Sequence, residues 1–182
     1  MMAEKYGIVR TDRVKATKNG HIHSVVYEEG ILQNGFLGVL GGFKDGEREL
    51  REIKKATDTS APAVLVAHPE LRYEQYKMTD NALNKFFVEA GEPARAYELV
   101  REDIFSVSID MIKAIDEKPV KGNVVVLEAG SFKGLEATNF TNEAFVAQIE
   151  DIEQTGTMRV VGEAGSIGRT NEMVVLRVIR NA

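Results

Sequence analysis

Ala94–Met111 reads ARAYELVREDIFSVSIDM. Phe105, Val107 and Ile109 alternate with Ser106 and Ser108, so an extended chain puts the apolar residues on one face and the serines on the other. Upstream, Tyr97 and Leu99 alternate with Ala96 and Val100. The polar triplet Arg101-Glu102-Asp103 lies between the two runs and lets the chain reverse. The stretch therefore predicts a β-hairpin with one apolar face, which must be buried against another layer. No residue in it points to chemistry.

Working outward, the same signals recur. Ala63–Ala67 (AVLVA) follows Pro62 and reads as a short buried strand ended by His68-Pro69. Thr79 or Asp80 can cap a short helix carrying Leu83, Phe86 and Phe87 and stopped by Gly91. Glu47–Ala56 (ERELREIKKA) favours helix by composition, yet only Leu50 and Ile53 could face a core; helix and edge strand both fit. Gly30 and then residues 31–48, with Gly35, Gly38, Gly41, Gly42 and Gly46 among apolar residues, show the pattern of bends and close backbone approach in a small barrel or sandwich.

Downstream, Lys118–Gly122 punctuates the chain. Strands are then expected at Asn123–Leu127, Phe145–Ile152, Met158–Val161 and Met173–Ile179, with Thr155-Gly156 as a hairpin turn. Val124–Ser131 and Arg159–Ser166 (VVVLEAGS and RVVGEAGS) agree at six of eight positions, as two similarly shaped strand ends would, but the echo does not continue as a repeat.

These readings give a mainly β protein: a small β-barrel or β-sandwich body over 31–182, one short helix, a possible sub-boundary near 118–122, and an extended arm over 1–30. Within the arm, Tyr6–Val9 and His23–Tyr27 are β-prone but too short to form a core alone, so they are expected to pair with the body or with a neighbouring molecule.

Composition narrows the function. With no cysteine among 182 residues, disulfides, cysteine zinc sites and thiol nucleophiles are excluded. No apolar run approaches a membrane span, and MMAEKYGIVRTDR lacks the apolar core of a secretory signal, so a protein made in the cytoplasm and not bound to a membrane is expected. Residues 1–18 hold five Lys/Arg against Glu4 and Asp12, a net +3, which leaves −8 on the rest of a chain of net charge −5. A basic segment on an acidic body can dock on an acidic surface, and nucleic-acid binding by the body is not expected.

One chemical motif stands out. His21-Ile-His23, followed by Glu28 and Gly35, resembles the latter part of the first cupin motif, in which two histidines and a glutamate bind a metal. Two His at i and i+2 face the same side of a strand. Against a metal-dependent enzyme on these residues, Lys15 stands where the motif needs glycine, and the second motif is missing. Gly162–Arg169 has G-x-x-G-x-x-G spacing before a strand, which fits a hairpin loop better than a phosphate cradle. No metal, cofactor or catalytic residue is expected.

Phe86–Ser108 (FFVEAGEPARAYELVREDIFSVS), the opening KYGIVRTDRVKA, and Ala63–Glu70 (AVLVAHPE) resemble small virion structural proteins of tailed bacteriophages, of the capsid decoration or cement type. The resemblance implies a β body on the capsid exterior, with extended segments holding neighbouring subunits of the major capsid protein together. It implies self-association there, a trimer being one form. A tail or baseplate module is the other virion reading. On this reading Tyr6, Ile8, Val9, Arg10, Arg13 and Lys15 would be the partner contacts, in an arm free until it docks.

Overall fold

In the computed structural model, Ala94–Glu98 and Ile104–Ser108 are both strands, but they do not pair with each other. They belong to different sheets, and the triplet between them hands the chain from one to the other. The structure describes residues 5–70, 83–161 and 166–182.

The first layer is a closed five-stranded barrel. Its strands are β2 (Ile22–Val26), β3 (Leu37–Phe43), β4 (Leu50–Lys54), β5 (Val64–Val66) and β6 (Ala94–Glu98), in the order β2-β4-β3-β5-β6. Pairing of β6 with β2 closes it, and β2–β4 is its parallel pair. The second layer is a seven-stranded sheet. It contains β1 (Val9–Arg13), β7 (Ile104–Ser108), β8 (Ile112–Lys113), β9 (Val124–Leu127), β10 (Gly134–Ala137), β11 (Phe145–Val161) and β12 (Ser166–Asn181). The order is β1-β7-β12-β11-β9-β10-β8. The protein is mainly β, as the alternating patterns required.

One apolar core joins the layers. Val25, Leu37, Ile53, Leu65 and Ala96 of the barrel share it with Phe105, Val107, Val125, Phe145 and Leu176 of the sheet. A smaller cluster of Val124, Val126 and Val146 lies apart from it. Of the residues expected inside, Tyr97, Leu99, Phe105 and Val107 are buried and Ile109 is half-buried against the core. Ser106 and Ser108 are buried too, in a strand paired on both sides, and Ser108 Oγ accepts from the Ile8 backbone N–H.

The corner between the sheets is fixed by Asp103, which is 0% exposed. Its carboxylate accepts from the Lys15 backbone N–H at 3.1 Å and from that of Val100 at 2.9 Å. Glu102 sits at φ 72°, a left-handed conformation rarely adopted by a residue with a side chain. Arg177 on β12 ties the junction to the sheet, contacting Glu102 at 3.5 Å and, on the neighbouring β11, Glu150 at 2.5 Å and Gln148 at 2.9 Å. Its hydrogen bond to Glu150, then the charge of that carboxylate, holds the guanidinium above its ordinary range.

Several expectations need correction. Residue 30 is not a break in the packing: β1 adds to the sheet through β7, and β2 closes the barrel through β6. The short runs at the N-terminus lack a core of their own because they share the common one. Ile8, Val14 and Ala16 are buried in it. Lys118–Gly122 lies between β8 and β9, within one sheet. Of the two readings open for Glu47–Ala56 the strand holds, as β4 at Leu50–Lys54, within the closed barrel and not at a sheet edge. Of the helix expected from Thr79 or Asp80 to Gly91, residues 79–82 lie outside the described residues; over 83–90 the chain forms a 3-10 turn at Leu83–Lys85 and then bridges Leu32 through Val88, so no α-helix carries Phe86 and Phe87. The α-helix among the described residues is α1 (Ala16–Asn19). Thr155-Gly156 is not a turn: pairing of β11 with β12 continues past it to Val161↔Ser166, with a register irregularity between Thr155 and Met158.

Gly7 shows how closely the N-terminal segment lies on the body. Its N–H donates to Gln33 Oε1 at 3.1 Å, and a Cβ added there would strike the Asn34 backbone carbonyl and the Met111 side chain. A backbone oxygen cannot rotate away. Gly7→Ala is therefore expected to cost about 1–3 kcal/mol, as overpacking does. A denaturant midpoint unchanged from wild type would show that the segment is not packed this way.

Candidate interaction surfaces

The residues expected to meet a partner divide into two groups. Ile8 is 5% exposed and its backbone is tied to β7: its N–H donates to Ser108 Oγ at 3.1 Å, and its carbonyl accepts from Ser108 N at 2.9 Å. Val9 sits opposite Val107. Tyr6 is half-buried with its ring 4.7 Å from that of Phe87. These three are part of the body. Arg10, Arg13 and Lys15 are exposed. Arg10 lies 3.7 Å from Glu153, and the Lys15 ammonium donates to the Arg101 carbonyl at 3.4 Å.

The histidine motif is separated from its expected glutamate. Glu28 pairs with Lys44 at 2.7 Å. His21 and His23 instead grip Glu98 of β6: His21 Nδ1 is 2.6 Å from one carboxylate oxygen, and His23 Nε2 is 2.7 Å from the other. Each ring nitrogen addresses its own oxygen, so the three groups satisfy one another and do not converge on a shared point. Among the described residues no group of three or more His, Asp or Glu is arranged to hold a metal ion. Spacing could not have found Glu98, which is 75 residues from His23 and reaches it only because β6 closes the barrel on β2.

Partial burial pushes the Glu98 carboxyl up, but hydrogen bonds from His23 and His21 outweigh it and hold the group below the usual glutamate range. A lowered carboxylate pKa adds stability above the unfolded value of about 4.3, and that contribution is lost as pH falls through the folded value. Glu98→Gln is therefore expected to destabilise the protein slightly at pH 7 and by less below about pH 4. A pH-independent difference in denaturant midpoint would show that the clamp is not titrating.

Two further features were not legible in the sequence. One is a ribbon. β11 and β12 are 17 and 16 residues long, the longest strands described. β12 pairs with β7 only from Met173 to Arg177, and β11 pairs with β9 only at Ala147 and Gln148. From Glu153 to Val161 and from Ser166 to Glu172, among the described residues, the two strands pair only with each other. That is a two-stranded ribbon roughly 25 Å long at the usual strand rise. Its base is tied down by Lys118–Glu172 at 2.9 Å and Lys121–Asp151 at 3.4 Å. Glu153, Gln154 and Gly156 are exposed.

The other feature is a groove of about 370 Å³ beside the ribbon base, bounded by β8 and the 114–119 loop. The buried Glu136 carboxylate pins the adjoining loop, accepting from Ile115 N at 3.0 Å, Val120 N at 2.8 Å and Asn123 Nδ2 at 2.7 Å. On that loop Ile115 is 55% and Val120 51% exposed.

A smaller pocket of about 220 Å³ lies between Val9, Thr11, Tyr97 and His68. His68 Nδ1 is buried there without a partner among the described residues. Burial, then the charge of Arg95, holds this imidazole below its usual range. Glu70 closes the side where the described chain stops, so the pocket is assigned no ligand.

No protein-family model, curated protein or solved structure matches this chain. Its function has to be argued from its own residues.

Proposed function

We propose that the protein is a non-enzymatic virion structural protein that binds the outside of a phage capsid, in contact with the major capsid protein, and stabilises the shell. The observation that carries this reading is the β11–β12 ribbon. A decoration protein needs a stable body and an extended element that spans to its neighbours, and the ribbon supplies such an element on a body held by one core. The resemblance at Phe86–Ser108 points the same way. Many identical sites on a shell would make repeated engagement effectively permanent even if each contact is weak.

The exposed Arg10, Arg13 and Lys15 remain candidates for steering the body onto an acidic surface, an effect that falls with salt. The reading is tested by mass spectrometry of purified particles, with antibody labelling to locate the protein. It is expected on the head, in numbers matched to capsid subunits. Absence from particles, or labelling confined to the tail, would sink it.

A further inference from the structure

We propose that residues 83–88 are a strap which protonation of His68 releases, so that mild acid frees both the strap and the N-terminal segment that it holds. Three observations lead there.

The first is an orphaned nitrogen. His68 is half-buried, yet its Nδ1 is fully buried and has no hydrogen-bond partner among the described residues. A neutral ring can leave Nδ1 bare, whereas an imidazolium carries N–H on both nitrogens. Protonation therefore puts a charged donor where nothing accepts it, which is costly. Among the described residues, the titratable and charged groups facing the imidazole are Arg95 and Tyr97 of β6 and Glu70 beyond Pro69. β1 lines the pocket with the uncharged Val9 and Thr11, and the strap meets the ring with Phe86, which follows Lys85. The Arg95 charge opposes a second cation.

The second is that only the ring can move. The His68 N–H donates to Asn34 Oδ1 at 2.8 Å, and its carbonyl accepts from Asn34 Nδ2 at 3.0 Å. Just before it, Val66 N donates to the Phe36 carbonyl at 2.8 Å and Gly35 N to the Val66 carbonyl at 2.9 Å. With its backbone fixed in this way, a protonated ring reaches water by turning about its side-chain bonds. That turn breaks its stacking on Phe86, whose ring lies parallel within 5° at a centroid distance of 5.9 Å.

The third is how the strap is attached. Val88 and Leu32 exchange backbone hydrogen bonds at 2.8 and 2.9 Å, as an isolated bridge and not a ladder. The rest is a 3-10 turn at Leu83–Lys85. Segments with so little regular pairing open at low cost. Phe86, 7% exposed, is the strap's anchor in the common core, and His68 stacks on that anchor. The strap in turn holds Tyr6, whose N–H donates to the Asn84 carbonyl at 2.8 Å and whose ring meets Phe87.

Burial, then Arg95, holds the His68 imidazole below its usual range. Its contribution to stability is therefore withdrawn as pH falls through the unfolded value of about 6.5, and the loss levels off below the folded value. Glu70 works the other way. Burial raises its carboxyl, so its contribution grows as pH falls toward about 4.3 and cannot produce the release. The release does not depend on a capsid, and the two readings can fail separately.

The test is hydrogen exchange followed by NMR on the full chain, from about pH 7.5 to about pH 5 and corrected for the intrinsic exchange rate. Protection of the Tyr6, Leu32 and Val88 amides is expected to fall by up to about tenfold per pH unit below about pH 6.5, while amides of β7 and β12 keep theirs. The imidazole of His68, titrated in the same samples, should have its midpoint below about 6.5, and the strap's loss of protection should level off at that midpoint. His68→Phe keeps a stacked ring that cannot take a proton, and should abolish the slope. His68→Gln should abolish it too, at lower protection throughout, and serves if the phenylalanine variant does not fold. Glu70→Gln should leave the slope in place, as should His21→Gln combined with His23→Gln.

Strap protection that stays level with pH overturns the inference. So does a slope that survives both His68 variants, or one that disappears in Glu70→Gln or in the double histidine variant. A slope shared by β7 and β12 is global unfolding and overturns it as well. The wild-type titration decides without any substitution: a His68 that titrates at or above its ordinary value, or away from the pH at which the loss of strap protection levels off, is not the trigger.

Discussion

Phe105→Ala is expected to lower the unfolding free energy by about 3–5 kcal/mol. Phe105 is 1% exposed and sits on β7, opposite Leu176, with β1 paired on one side and β12 on the other. Both flanking strands are held by backbone hydrogen bonds, so the surroundings can collapse little into the space left behind. The cavity cost therefore adds to the lost burial, and does so in the core shared by barrel and sheet. Ile109, half-buried three residues beyond β7's centre, provides the comparison: Ile109→Ala should cost clearly less. Urea melts of both variants decide the matter. A loss below about 1 kcal/mol for Phe105→Ala would remove it from the core.

The stretch around Phe105 also shows where the sequence stops being informative. Alternation at 94–109 marked the two strands and the burial of Tyr97, Leu99, Phe105 and Val107, because strand-forming alternation is a local property of the chain, but the other face of β7 is buried as well, at Ser106 and Ser108. It could not say which sheet each strand joins. A polar triplet that reverses a hairpin and one that turns a corner between sheets have the same composition. Here the difference lies in Asp103, whose buried carboxylate is satisfied by the N–H of Lys15, 88 residues away. His21 and His23 were visible as a same-side pair, but Glu98 joins them only through barrel closure.

The ribbon was hidden for a related reason. Gly156, at φ 92°, reads as a turn glycine, whereas in the structure it sits at an irregularity that a long strand tolerates. That misreading divided one 17-residue strand into two.

Deleting residues 2–18 is therefore expected to abolish cooperative folding. The deletion removes β1, which covers one edge of β7, together with the buried side chains of Ile8 and Val14. Each of those side chains contributes about 1.5–3 kcal/mol by its burial. Loss of Ile8 leaves the Ser108 N–H without its acceptor, and loss of Lys15 takes a donor from the Asp103 carboxylate at the corner between the sheets. Leaving such groups unsatisfied costs about 1–3 kcal/mol each, and more where a charge is involved. Together these losses are comparable with the whole stability of a domain, about 5–15 kcal/mol. Far-UV circular dichroism and a urea titration of the shortened protein give the answer. A cooperative transition within about 2 kcal/mol of wild type would mean that β1 contributes little, and that the N-terminal segment is a separable arm after all. The expected result is a chain with no transition, because its sheet has lost an edge strand and its corner has lost a partner.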